Sequence, residues 1–223
     1  NDGAVYGRVW YTFKKQVLVC GGIMIRGIFF DFDGVITVEK MGTPTIVSYI
    51  AKETGLSLER VETAYRRHNK LLLRGDITHE DMWCSFCEEV GMDIAYSVLI
   101  DSFLNVTIDQ SLISYMKELK EDYIIGMITD NKVDRIETIL ENTELKNLFD
   151  VVIISAGVHA QKTDSKIFEE TLRRTELNPM ECVFIDNTAM NLEVPGKMGF
   201  YTILFDDDKR DVAELKERLS KVL

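Results

Sequence analysis

The chain has 223 residues, 46% of them hydrophobic and 28% charged, with a formal net charge of −11. This fits a soluble globular protein with one core of ordinary size, or a core carrying a smaller insertion. The acidity argues against nucleic acid or an anionic membrane as partner, because both require a basic surface, so an anionic substrate would need a metal or a few focused basic residues.

Four cysteines, Cys20, Cys84, Cys87 and Cys182, are too few and too scattered for a disulfide framework. Cys84 and Cys87 form a CxxC, but in a helical pattern with no second pair or histidine cluster, so helix packing is the expected use. A reducing, cytoplasmic compartment follows as the default. No apolar run approaches the roughly 18 residues of a membrane span. Lys14-Lys15 before the apolar run 17–22 faintly resembles a signal peptide, but Arg26 follows and no small-residue cleavage site is present. Residues 1–23 are read as an N-terminal extension of unclear status, with Met24 a plausible start.

The first structured stretch is 27–35, GIFFDFDGV. Its apolar run Ile28-Phe29-Phe30 predicts a buried parallel strand, and Gly34 the break that ends it. Side chains alternate along a strand, so Asp31 and Asp33 share a side while Phe32 points away. Two carboxylates at a strand's carboxyl end repel unless a cation lies between them, and Mg²⁺ suits such an oxygen-only site. The simpler alternative is that these aspartates cap the next turn.

After a polar loop the chain turns helical. Thr43 is expected as N-cap with Pro44 as the first helical residue and Gly55 as the stop. Ser57 starts a second helix ending at Gly75. Thr78 and Asp81 form a capping-box pattern that opens a third, stopped at Gly91. A fourth is expected over about 93–104. No strand interrupts these helices, so residues 38–104 read as a small helical insertion.

From Asp109 helices and strands alternate. Helix 110–120 precedes strand 123–128, which ends in Thr129-Asp130-Asn131. Helix 133–142 precedes strand 151–154, and helix 165–175 precedes strand 183–185, which ends in Asp186-Asn187. Helix 190–198 and strand 201–205 follow, and Asp208 is expected to cap a last helix. This alternation predicts parallel βαβ units: an α/β fold with a Rossmann-like, doubly wound parallel sheet. Asp206-Asp207-Asp208 reads as a solvated loop and cap rather than a metal site.

Taken singly, Thr129 is a strand-end cap, Lys162 a surface lysine and Asp186-Asn187 a turn pair. Together, at successive strand ends, they form a constellation. The segments DFDGV, MIT with Thr129, QKTDSKIF with Lys162, and FIDNTAMNL resemble, in that order, the four motifs of the haloacid dehalogenase superfamily. The resemblance covers about 25–223. It implies a core of 24–37 and 105–223, with 38–104 as a helical cap of the C1 type. LLRGDITHEDMW further resembles the cap segment of soluble epoxide hydrolase phosphatase domains and of bacterial sugar-phosphate phosphatases.

The resemblance implies a Mg²⁺-dependent phosphatase acting on a small phosphorylated metabolite, as monomer or homodimer. Asp31 would be the nucleophile, forming an aspartyl-phosphate. Asp33 would protonate the leaving alkoxide, then deprotonate the attacking water. Thr129, Asp130 and Lys162 would line the phosphate, and Asp31, the main-chain carbonyl of Asp33, and Asp186 or Asn187 would hold the metal. Dehalogenases of the family lack the second aspartate because halide leaves without a proton. The rival readings are a phosphomutase sharing the first half-reaction and a non-catalytic binding protein.

Three positions depart from the family pattern. Asn187 stands where relatives carry a second acid, so either its amide oxygen ligates the metal or Asp186 does, with weaker Mg²⁺ affinity expected. Asp130 stands where relatives often carry asparagine, and is expected to turn its carboxylate away to cap the following helix. QKTDS lacks the prolines common after the motif lysine. Arg66, Arg67, His68, Arg74, His79 and Trp83 are the polar and aromatic candidates that the cap offers for substrate contact.

Overall fold

The computed structural model describes residues 24–223; the readings made on residues 1–23, including Cys20, lie outside them. Five strands form one parallel sheet: β1 (Gly27–Phe30), β2 (Ile124–Thr129), β3 (Val151–Ile154), β4 (Cys182–Asp186) and β5 (Tyr201–Leu204). Their order is β3-β2-β1-β4-β5, which places β1 at the centre between β2 and β4. Both faces are covered, as a parallel sheet requires. Alternation sends Ile28 and Phe30 into the larger core cluster and Phe29 into the smaller one on the opposite face.

The first helices after β1 are α1 (Gly42–Thr54), α2 (Leu58–Arg74), α3 (His79–Val90) and α4 (Tyr96–Leu104). Ser57 caps α2, and the Thr78–Asp81 capping box opens α3 with both reciprocal bonds made. Gly55, Gly75 and Gly91 end the first three helices in left-handed conformations that glycine adopts without strain. The apolar faces of these helices, among them Ile46, Ile50, Tyr65, Phe86 and Phe103, run on into the larger core cluster beneath the sheet.

The remaining helices are α5 (Gln110–Leu119), α6 (Val133–Asn142), the short α7 (Ser155–Val158), α8 (Ser165–Thr175), the short α9 (Glu193–Met198) and α10 (Val212–Ser220). Among the described residues, no helix is long and apolar enough to cross a membrane.

Several local expectations are corrected. α1 begins at Gly42 with Met41 as N-cap, because the Thr43 hydroxyl is taken by Asn69 and by Lys132 rather than by its own backbone. α4 starts at Tyr96 instead of 93, since the Ile94 carbonyl is held by the Trp83 indole at 2.9 Å and the Cys87 thiol. The helix expected over 190–198 divides into a 3₁₀ turn, Ala189–Leu192, followed by α9. Pro195 explains the division: it has no N–H to continue the ladder, and its ring crowds the Asn191 carbonyl. Asp211, not Asp208, caps α10; Asp206 instead accepts from the backbone of Asp208 and Lys209, closing the solvated turn.

Candidate functional site

Because β1 is central, the residues following β1, β2 and β4 converge at one end of the sheet, where ligands gather in doubly wound folds. Asp31 follows β1 immediately, and its backbone N–H donates to the Ile185 carbonyl at 2.9 Å. One carboxylate oxygen accepts from the Phe32 N–H at 2.7 Å, and the other meets Lys162 Nζ at 2.8 Å. Lys162 also reaches Asp186 at 2.7 Å, so one ammonium bridges two carboxylates. Asp31, Lys162 and Asp186 are all buried. Burial pushes the Asp31 carboxyl up to about 7, partly countered by Lys162 and reinforced by Asp186. Burial pulls Lys162 down, but the charges of Asp31, Asp186 and Asp130 outweigh it and raise its pKa above the ordinary lysine value.

Asp186 has further partners. Besides Lys162 it accepts from the Thr188 N–H and from the Asn191 amide. The Asn187 amide nitrogen donates to Asp207 at 2.9 Å, leaving its oxygen as the free end. The Asn187 side chain lies where a β-carbon on Gly34 would sit, and Gly34 takes φ +83 in the turn after Asp33. A side chain at Gly34 would therefore clash as well as strain the backbone. These groups form an oxygen-donor set of Asp31, Asp186 and the Asn187 amide oxygen beside the turn that carries Asp33. That set fits Mg²⁺.

Thr129 ends β2, buried, with its hydroxyl 3.4 Å from the Asn131 amide nitrogen. Asp130 does not cap α6, whose N-cap is Lys132 without a side-chain cap bond. Its carboxylate accepts instead from the backbone N–H of Lys162 at 2.9 Å, which ties the lysine loop to the end of β2. Even without prolines, that loop is thus fixed by a hydrogen bond.

Asp33 has the partner that sequence reasoning missed. Arg135, from α6, grips it through two nitrogens at 2.7 and 2.8 Å, and the Asn131 amide adds a third bond at 2.8 Å. Burial alone would raise the Asp33 carboxyl, but the Arg135 charge and these hydrogen bonds hold it below the usual carboxylate range. Asp33 is therefore ionised at neutral pH and can accept a proton; it can donate one only after something raises its pKa.

Lys132 also escaped notice. It is 4% exposed, and its ammonium donates to Thr43 Oγ1 at 3.2 Å and lies over the Tyr65 ring. Burial and the neighbouring Arg135 pull it down to about 7. A signal was present in the sequence, because Lys132 and Arg135 flank the start of α6, where the helix dipole disfavours cations. Arg210 carried no such signal. From the far end of the chain it donates to the carbonyls of Gly34, Val35 and Thr37 and pairs with Asp109, fixing the loop through which the chain leaves β1.

The helical segment's polar candidates separate cleanly. Arg66 pairs with Glu62, Arg67 with Glu89, and Arg74 with Asp76, while the His68 ring lies 3.4 Å from Glu89 without a hydrogen bond to it. Trp83 packs on Phe86 and Tyr96. Of these side chains, His79 is the one that reaches an acid outside the helical segment, Asp134. Its ring bridges Asp134 and the Tyr65 hydroxyl, each at 2.7 Å, which suits a neutral imidazole donating to the carboxylate and accepting from the phenol.

Burial lowers the His79 pKa, and Asp134 only partly restores it against Lys132 and Arg135. The unfolded chain therefore takes up this proton first as pH falls. The stability due to neutral His79 is complete above its ordinary pKa near 6.5 and is lost below it. Asp31, raised to about 7, pulls the other way over the same range, so the test is the difference between two proteins. In urea denaturation from pH 7 to pH 5.5, wild-type stability is expected to fall relative to that of His79→Gln by up to about 1.4 kcal/mol per pH unit. Equal slopes in both proteins would contradict this reading.

Comparison with known proteins gives the family and the fold. A family model described as haloacid dehalogenase-like hydrolase matches residues 28–205. The chain is 25% identical over 189 residues to an uncharacterised hydrolase of Schizosaccharomyces pombe, covering 72% of this chain and 81% of that protein. It is 38% identical over 71 residues to mouse acyl-CoA dehydrogenase family member 10, covering 32% of this chain but only 7% of that one. Among solved structures, a haloacid dehalogenase family enzyme of Bacteroides thetaiotaomicron superposes with a TM-score of 0.71 at 16% identity, covering 86% of this chain and 98% of its own. The same enzyme has been crystallised with magnesium and inorganic phosphate. An L-2-haloacid dehalogenase superposes with a TM-score of 0.60 at 16% identity, covering 81% and 83% of the two chains. The chain belongs to the haloacid dehalogenase-like hydrolase family.

Proposed function

We propose that the protein is a phosphoric monoester hydrolase that uses Asp31 as nucleophile and Mg²⁺ as its metal. The carrying observation is the pair Asp31 and Asp33: two carboxylates at one strand end, the first bridged by Lys162 to Asp186, the second held by Arg135. Asp31, Asp186 and the Asn187 amide oxygen would hold the ion with the Asp33 main-chain carbonyl, and the bound metal would neutralise charge on the transferring group.

The steps assigned to the chain's own residues follow from their charges. Asp31 attacks phosphorus and the ester oxygen departs, giving an aspartyl-phosphate that water then cleaves. Lys162 offsets negative charge on Asp31 and the phosphoryl oxygens, and Thr129 donates to one of them. Asp33, ionised in the resting protein, gains its proton when the incoming phosphate raises its pKa against the hold of Arg135. It then protonates the leaving alkoxide and accepts the proton back from the hydrolytic water.

One observation favours a second reading. The clamp of Arg135 keeps Asp33 ionised, and expulsion of halide by the same nucleophile requires no acid. Assay of phosphate release from a panel of phosphorylated metabolites, and of chloride release from 2-chloropropionate, separates the two. Phosphate release that EDTA abolishes and Mg²⁺ restores is expected; metal-independent chloride release with no phosphate release would overturn the phosphatase reading.

A further inference from the structure

Among the described residues, Lys132 is a buried cation with no carboxylate within ion-pair distance. Arg135 is matched by Asp33 and Lys162 by Asp31 and Asp186, whereas the Lys132 ammonium, with three N–H groups, donates one hydrogen bond, to Thr43. Removing such a group from water costs several kcal/mol when it is unmatched. Its position is equally specific. It lies between the core, from which it projects at the start of α6, and the helical segment, which supplies Thr43 from α1 and Tyr65 from α2. Thr43 is in turn oriented by Asn69 at 3.1 Å. Asn131 links it to the reacting end, for this side chain bonds Asp33 and also accepts from the Lys132 backbone N–H.

We propose that Lys132, with Thr43, forms a second anion subsite, so that the substrate is a phosphate ester carrying a further anionic group on its leaving-group side. This rests on the phosphatase reading. The phosphoryl group faces Asp31 and Lys162, the ester oxygen faces Asp33, and the second anion, a carboxylate or another phosphate, extends to the seam between core and helices. Its charge supplies the partner that the protein withholds from Lys132. A neutral-tailed ester would leave the ammonium as unmatched as it is in the free protein.

The test compares two non-hydrolysable ligands that differ only in the second anion, 3-phosphonopropionate and propylphosphonate. Their binding is measured by titration calorimetry on the full chain in Mg²⁺. The carboxylated ligand is expected to bind at least about tenfold more tightly, the scale of one charge-assisted hydrogen bond. In Lys132→Met the ratio is expected to fall close to one. Lys132→Gln serves as a second variant in case the first does not fold, and melting curves check both. Equal affinities in the wild type, or a ratio that survives both substitutions, would overturn the subsite while leaving the phosphatase reading intact. Failure of both ligands to bind the wild type would overturn the two together.

Discussion

Asp31→Asn is expected to lower turnover by at least about a thousandfold while leaving the fold intact. The amide is nearly isosteric and can still accept the Phe32 N–H that the carboxylate accepts at 2.7 Å, but it cannot attack phosphorus to form an acyl-phosphate. Its effect on stability separates chemistry from damage. Burial pushes the Asp31 carboxyl up to about 7, so the folded protein bears a cost for ionising it. Neutralising it also removes repulsion with Asp186, which keeps its own pairing with Lys162 at 2.7 Å. Thermal melting at pH 8 should therefore show a midpoint equal to or above that of the wild type, beside phosphate release that has all but vanished. Near-normal turnover in the variant would remove Asp31 from the mechanism. A lowered midpoint would mean that its pairing with Lys162 contributes more than its desolvation costs.

The parts of this site that were legible in the sequence share one property: each lies at the end of a short apolar run. Asp31 follows, and Thr129 and Asp186 end, strands whose period and composition mark them. Once the sheet order places β1 between β2 and β4, their convergence is geometric. Lys162 had to be read from its motif, since nothing local predicts that a lysine after β3 will be buried between two aspartates.

The rest depends on partners distant in the chain. Arg135 meets Asp33 across 102 positions and Lys132 meets Thr43 across 89. Only the misfit of cations with the start of a helix hinted at either. Thr43 illustrates the converse. Local rules made it a helix cap, but a lysine ammonium and an asparagine amide outbid its own backbone for the hydroxyl. Asp130 follows the same pattern, turning to the Lys162 loop instead of to α6. Local propensity yields wherever a buried charge needs a partner, and these are the positions where the candidate site is built.

Lys162→Met is expected to disable both folding and catalysis, with opposite responses to acid. The ammonium is the cation that Asp31 and Asp186 share, at 2.8 and 2.7 Å, and both carboxylates are buried. Removing one member of a buried ion cluster leaves charge unmatched and typically costs about 3–5 kcal/mol. Asp31 is already raised to about 7 with Lys162 lowering it, so without the lysine it rises further. A folded-state pKa above the unfolded value near 3.9 means that the folded protein holds a proton the unfolded chain releases. The deficit therefore grows as pH rises through the range between those values, and shrinks as acid protonates Asp31. Urea denaturation with EDTA present should show the variant much less stable than the wild type at pH 8 and closer to it at pH 5.5. Activity should not recover at pH 5.5, because the proton that restores the fold also blocks the nucleophile. Wild-type stability at pH 8 would show that the two aspartates do not need this lysine.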